Sequence, residues 1–434
     1  MSSIPHSDRP HVTLLYHYFH PDDVVSARLF ADLAEGLTAR GWDVTAVPCN
    51  RGCRDERVTY PLAEDWNGVA VRRAWRPRFK QASTVGRVLN AGWMQAAWAV
   101  AAAVSPSRRR DVMVVGTDPI LGVLAALPWR LVRPRTRVAH WCHDLHPEAS
   151  VAEGALRPTS LPVRLLTPFL RAAYRRCDLI ADLGACMRAR LARYGSTARV
   201  ATLTPWALVE PAAPVAPDPA TCKELFGEAK LGLLYSGNFG RAHSYTEFLA
   251  LARALRGEPV RLCFAGRGNR MDELKAAVRP DDANVSFAGF APEAELEKRL
   301  GACDLHLVSL RPEWAGTVVP SKFFGALATG RGVVYAGPPD SAIAQWVTEH
   351  KVGWVLTPET LPAVTAALKA LAADPAGLLA LRERCFRVYH DHFSKARQLE
   401  QWDALLRASL GPGRGRRVAA GRTGAYHPGS GGAG

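Results

Sequence analysis

The hydrophobic pattern opens with a β-rich apolar run at residues 11–16 (His-Val-Thr-Leu-Leu-Tyr). After a loop, Ala27, Phe30, Ala31, Ala34 and Leu37 recur at helical spacing across residues 26–40. Ser26 is placed to cap that helix and Gly41 to stop it, and residues 43–47 read as the next strand. Strand, helix and strand in so short a stretch define a parallel βαβ unit. The alternation continues, with strands predicted at 69–72, 111–115, 137–142, 178–181 and 199–203 and helical stretches between them. These runs are nearly all apolar, as a sheet covered on both faces requires.

Residues 207–220 then hold four prolines and read as a linker, which is extended here to 229. Beyond it the pattern restarts. Strands are predicted at 231–235, 260–264, 284–287, 304–310, 332–335 and 353–356, and helices at 245–255, 272–278 and from 361 to about 410. The chain therefore reads as α/β, with two doubly wound (Rossmann-like) parallel-sheet domains facing across a cleft. The first spans 1–206, the second 230–390, a C-terminal helix 391–410, and a basic, disordered tail 411–434. Ligands of such sheets bind at the carboxyl ends of the strands, so motifs just after strands carry the chemistry.

Composition narrows the class. Of the 434 residues 48 % are hydrophobic and 22 % charged, which excludes wholesale disorder. No stretch reaches 18 uninterrupted apolar residues. The nearest, 88–104, is broken by Asn90 and Gln95 and suits an Ala-rich buried or interface helix. The first ten residues are polar and lack a signal-peptide core, so cytoplasmic residence is expected. Nine cysteines without a CxxC pair read as reduced thiols.

The net charge of +15 is unevenly placed. Residues 1–200 hold 28 Lys+Arg against 17 Asp+Glu, residues 201–410 hold 23 against 23, and the tail holds four arginines and no acid. The first half thus looks for an anionic partner. No zinc-finger, RNP or helix-turn-helix pattern accompanies the charge, so nucleic acid is not expected. Much of the excess lies in Arg72-Arg73-Ala-Trp75-Arg76-Pro-Arg78-Phe79-Lys80 and in residues 164–193, where Arg171 and Arg175 sit among apolar helical positions. Cations beside aromatic and aliphatic residues suit an anionic membrane surface or a lipid diphosphate; a solvated basic face is the plainer alternative.

Five strand-end motifs are candidates for chemistry. In Ser236-Gly237-Asn238-Phe239-Gly240-Arg241-Ala-His243, glycines let backbone approach an anion, the next helix start offers free N–H groups, and Arg241 and His243 add donors. Gly266-Arg267-Gly268 follows the next strand. Pro320-Ser321-Lys322 opens a helix with N–H groups, a hydroxyl and an ammonium, a cradle for a diphosphate. His140-Trp141-Cys142-His143-Asp144-Leu-His146-Pro147-Glu148 contains metal-ligand types, but strand alternation sends His140 and Cys142 to one face and Trp141 and His143 to the other. His140 then reads as a core histidine, no metal site is expected, and His143 and Asp144 are placed to meet sugar hydroxyls. The loop from Phe19 to Arg28, with Asp23, can meet an acceptor.

Together these motifs resemble the family 4 glycosyltransferases of the GT-B fold, and most nearly the bacterial transferases of colanic-acid, O-antigen and exopolysaccharide assembly. The resemblance covers about 11–408. It rests on the Tyr-Phe-His-Pro loop (18–21), Asp144 to Glu148, Ser236 to Gly240, and Pro320 through Gly330. It implies a retaining, metal-independent transfer without cofactor, from a UDP- or GDP-sugar in the second domain to a polyprenyl-diphosphate-linked acceptor in the first, at the inner membrane face. Gly237, Asn238, Gly240, Arg241, Ser321 and Lys322 would hold the donor diphosphate, and Gly266 and Arg267 would lie near the nucleotide. Asp144 and His143 would be catalytic, while Asp23, Arg72, Arg73, Arg76, Arg78, Arg171 and Arg175 would face acceptor and membrane. Many members carry two glutamates eight residues apart ahead of the glycine at 330; Thr317 and Gly325 stand there in this chain. A UDP-sugar 2-epimerase of the same fold and a non-catalytic membrane or nucleic-acid binder are the alternatives.

Overall fold

The computed structural model describes residues 9–411 except 82, 107 and 109; the expected basic tail from 412 onward lies outside the described residues. The first sheet has eight strands: β1 (His11–Leu15), β2 (Asp43–Ala46), β3 (Ala63–Trp66), β4 (Val69–Arg72), β5 (Asp111–Val115), β6 (Arg137–Trp141), β7 (Leu179–Asp182) and β8 (Arg199–Thr202). They lie in the order β3-β4-β2-β1-β5-β6-β7-β8, all parallel except β3, which pairs antiparallel with β4. The second sheet, with β9 (Leu231–Asn238), β10 (Val260–Arg267), β11 (Val285–Ala288), β12 (Leu305–Ser309), β13 (Gly332–Ala336) and β14 (Gly353–Leu356), is wholly parallel in the order β11-β10-β9-β12-β13-β14. The two doubly wound sheets of the sequence reading are present.

Apolar strands at the sheet centres explain the stability of this arrangement. Every residue of β1, β5, β12 and β13 is buried. One face of the first sheet packs on α1 (Val25–Ala39) through Phe30, Leu33 and Leu37. The other face is covered by α2 (Thr84–Val104), α3 (Ala126–Val132) and α5 (Leu161–Tyr174), whose Met94, Trp98, Trp129, Leu170 and Tyr174 share one core; the short α4 (Glu148–Ala152) follows β6. Gly41, at φ +84°, ends α1 as expected. Ser26 does not cap it, because the helix begins at Val25 with Val24 before it and without a side-chain cap.

The proline-rich segment is not wholly linker: Pro219–Phe226 is a helix, capped by the Asp218 carboxylate accepting from Thr221 N–H at 2.9 Å. Its start is clamped to the C-terminal region. Ala207 N–H donates to Tyr389 Oη at 2.9 Å, and Glu210 accepts from Lys395 N–H at 2.7 Å. The last helix, Lys395–Ser409, crosses back to the first domain. There Leu399, Trp402 and Leu406 join the core beneath α1, and Trp42 Nε1 donates to Asp403 at 2.6 Å.

Candidate active site between the two sheets

The carboxyl ends of both sheets face one cleft. On the second-domain side is a cavity of about 450 Å³ walled by Ser236, Gly237, Asn238, Arg267, Phe290, Ser321, Lys322 and Gly325 and by the hinge residues Trp206 to Val209. A cavity of about 430 Å³ on the first-domain side is walled by Tyr16, Thr117, Asp118, His143, Asp144 and His146. Both include Val25 and Ser321, so they form one continuous site of ligand size.

Its anion-binding end is built by close backbone approach. β9 runs on past Tyr235 and stays paired with β10 as far as Asn238 opposite Arg267. A Cβ on Gly266 would sit 1.9 Å from the Gly237 carbonyl oxygen, so only glycine permits this pairing. Gly237 itself has φ +114°. Lys322 opens a helix (Lys322–Ala328) and reaches over the Tyr235 ring, 5.0 Å to its centroid, to donate to the Asn238 carbonyl at 3.1 Å. Among the described residues no carboxylate pairs with its ammonium, and burial pulls its pKa down to about 8. His243 receives it at 3.5 Å through Nε2 while Nδ1 lies 2.8 Å from the Ser309 carbonyl. Burial, then Lys322, lowers the His243 pKa to about 3, so this imidazole is neutral and positions the lysine. Arg267 lies over the Phe290 ring at 4.6 Å on the outer wall.

Across the cleft, Asp144 follows β6. Its carboxyl opens to the cavity, yet the surrounding walls and then Asp118 push its pKa up to about 6. His143 packs on Trp141 (ring centroids 4.3 Å) with its Nε2 unpartnered, and burial holds it neutral, with a pKa near 3. Asp118 Oδ1 faces the buried His17 Nδ1 at 3.4 Å. His140 is the core histidine expected, its Nδ1 2.9 Å from the Val115 carbonyl. Among the described residues no group of three or more His, Cys, Asp or Glu side chains is arranged to hold a metal ion.

Several placements correct the sequence reading. The helix after the Gly237 loop starts only at Thr246, so strand-end backbone rather than that helix end lines the cavity. Gly240 and Gly266 shape the turn and the strand pairing rather than the cavity wall. Arg241 does not line the cavity; it bridges the two domains, Nη1 to Glu153 Oε1 at 2.5 Å. Thr317 is fully buried, its hydroxyl donating to the Trp314 carbonyl at 2.7 Å. Asp23 is exposed and paired with Arg54 at 3.0 Å, outside the cavity. Arg73 is buried and bonded to Pro61 O, His20 O and Glu64, and Arg76 is completely enclosed, so neither can touch a membrane. Arg72, Arg78, Arg171 and Arg175 are exposed. The sequence reading overlooked Asp118, which follows the apolar β5 in Gly116-Thr117-Asp118-Pro119, and Phe290, an exposed aromatic in the loop after β11. Position alone, just past a strand's carboxyl end, was the available signal for both.

Two facing doubly wound sheets with the site between them are the GT-B architecture. Comparison with known proteins agrees: residues 26–206 match the glycosyl transferase 4-like domain and residues 230–374 the glycosyl transferases group 1 family. The chain belongs to the family 4 glycosyltransferases, and it is a glycosyltransferase. It is 26 % identical to the probable glycosyltransferase WbjE of Pseudomonas aeruginosa over 70 % of this chain and 76 % of that one. It is 28 % identical to the putative colanic acid biosynthesis glycosyl transferase WcaI of Escherichia coli over 32 % of this chain and 34 % of that protein. In fold it is similar to sucrose-phosphate synthase from Thermosynechococcus elongatus (TM-score 0.67, 16 % identity, 92 % of this chain and 99 % of that chain). It is also similar to Anabaena HepE in complex with UDP (TM-score 0.61, 13 % identity, 92 % and 100 %).

Proposed function

We propose that this glycosyltransferase moves a sugar, with retention, from a UDP- or GDP-sugar to a polyprenyl-diphosphate-linked glycan in cell-surface polysaccharide assembly, at the inner face of the membrane. The observation that carries the reading is Lys322, an ammonium without a carboxylate partner among the described residues, at the end of a glycine-opened strand pair and across one continuous cavity from Asp144. One similar protein is named for colanic acid biosynthesis, and a protein of the same fold is described in complex with UDP; both support the assignment.

In this reading the donor diphosphate lies against Gly237, Asn238, Ser321 and Lys322. As the bond from anomeric carbon to phosphate oxygen breaks, negative charge grows on the leaving diphosphate. A preorganised cation in a cavity of low polarity then stabilises the transition state more than the ground state. The acceptor hydroxyl attacks from the face the phosphate leaves, and a phosphate oxygen takes its proton, so a second carboxylate acting as base is not required. Asp144, ionised above about pH 6, holds a hydroxyl of the transferring or accepting sugar. Neutral His143, packed on Trp141, forms the cavity wall beside Asp144.

The test is incubation of the purified chain with a panel of radiolabelled nucleotide-sugars and a lipid-linked acceptor. The reading expects label in the lipid fraction with one donor, and release of the nucleoside diphosphate. Product formed from UDP-sugar without any acceptor would instead mean an epimerase.

A further inference from the structure

The outward side of the α2–α3–α5 layer has an unusual composition for a surface exposed to water. α2 presents Val85 (70 % exposed), Val88, Leu89, Trp93, Val100 and Val104 in a single stripe, interspersed with Gly92, Ala96 and Ala103. At 1.5 Å per residue the stripe from 85 to 104 is about 30 Å long. α3 adds Leu131, 83 % exposed, and α5 adds Leu161, Leu165 and Phe169. The inner residues of all three helices enter one core on the same face of the sheet, so these outer residues share one side of the molecule. None of the three helices contains an aspartate or glutamate, whereas Arg164 and Arg171 are exposed on α5 beside its apolar residues. Trp75 extends the patch, its ring 5.4 Å from that of Trp93. An apolar area of this size on a soluble surface marks an interface.

We infer that this face docks the protein on an anionic lipid bilayer, with α2 lying in the interface plane. The charge supplies the choice of occupant: apolar side chains enter the acyl boundary while arginines without acidic neighbours on the same helices meet lipid phosphates. The chain direction adds a geometric reason. α2 and α5 each run from the carboxyl edge of the sheet back to its amino edge, so Val85, Val88, Leu89, Leu161 and Leu165 cluster near the edge that carries Asp118 and Asp144. A bilayer there would bring a lipid-anchored acceptor to the cleft. The inference rests on the membrane-acceptor reading, and it moves the contact from Arg73 and Arg76 to these three helices. No single helix among the described residues is long and apolar enough to cross a membrane, so the contact is interfacial.

The experiment is co-sedimentation of the full chain with vesicles of phosphatidylglycerol and phosphatidylethanolamine, or of phosphatidylcholine alone. The comparison includes Val88→Glu/Leu165→Glu and Arg164→Glu/Arg171→Glu. All four positions are exposed, and melting curves and UDP binding of each variant confirm an intact fold. The expected result is preferential binding of the wild type to the anionic vesicles, lost roughly tenfold or more in Val88→Glu/Leu165→Glu and reduced toward the neutral-lipid level in Arg164→Glu/Arg171→Glu. Unchanged binding in both variants would overturn the inference. So would a wild-type dimer in sedimentation velocity that the Val88→Glu/Leu165→Glu change dissociates, with no vesicle association, because a second copy would then be the occupant. Sugar transfer to a detergent-dispersed acceptor, run in parallel, separates the two readings: transfer without vesicle binding removes only the docking face, and vesicle binding without transfer removes only the assigned reaction.

Discussion

Lys322 offers the sharpest quantitative test. Its pKa of about 8 arises from burial, so its charge titrates within the working range of most assays. If UDP binds the protonated form, the occupied fraction of that form matters. The ammonium is about nine-tenths populated at pH 7 and about one-tenth at pH 9, so UDP affinity should fall about tenfold, or about 1.4 kcal/mol. The sign is fixed: affinity is fully present below the free-site pKa and is lost as pH rises through it. Because bound phosphate favours the cation, the complex should take up about half a proton at pH 8, which calorimetry in buffers of different ionisation heat reads directly. Lys322→Met should bind UDP more weakly at pH 7 and show no further loss to pH 9. A wild type with equal affinity at pH 7 and 9, or a Met variant with the same slope, would refute the assignment of this lysine to the diphosphate.

Asp144→Asn should lower kcat on the order of 100-fold and abolish an acidic limb near pH 6, read from a pH–rate profile. Since this carboxyl is harder to ionise folded than unfolded, its ionisation opposes folding at pH 7, and that penalty fades as pH falls from about 6 toward the ordinary carboxylate range; the Asn variant should therefore melt no lower than wild type at pH 7. Gly266→Ala forces a methyl onto the Gly237 carbonyl and should cost about 1–3 kcal/mol, seen as a lower Tm together with weakened UDP binding. Trp402→Ala empties the core beneath Trp141, whose ring lies 5.2 Å away; a loss of about 3–5 kcal/mol in denaturant unfolding is expected.

Much of the fold was legible because buried parallel strands are written as short apolar runs between helices. β3 escaped that logic: Ala-Glu-Asp-Trp is polar, and only the Asn67-Gly68 pair, both at positive φ, signalled the hairpin to β4. The C-terminal helix was visible by its period, but its return to the first domain depends on Trp402 meeting Trp141, a contact between residues 261 apart in the chain. For the site, Gly237, Ser321, Lys322 and Asp144 were chosen because chemistry at a carboxyl edge needs those residue types, and all four line the cavity. The arginines misled. Arg73 and Arg76 look like surface cations in sequence, yet the carbonyls of Pro61 and His20 draw the first inward and folded loops enclose the second. Arg241 sits in the right loop, but Glu153 of the opposite domain engages it, and nothing in its own sequence neighbourhood announces that partner.

The central claim is that a donor diphosphate occupies the space between the β9 end and Lys322. A crystal structure of the chain with UDP tests it most directly. The expected result is a phosphate oxygen about 3 Å from Lys322 Nζ, with the ammonium turned from the Asn238 carbonyl toward the ligand. Density for UDP elsewhere in the cleft, with the Lys322–Asn238 bond intact, would contradict it.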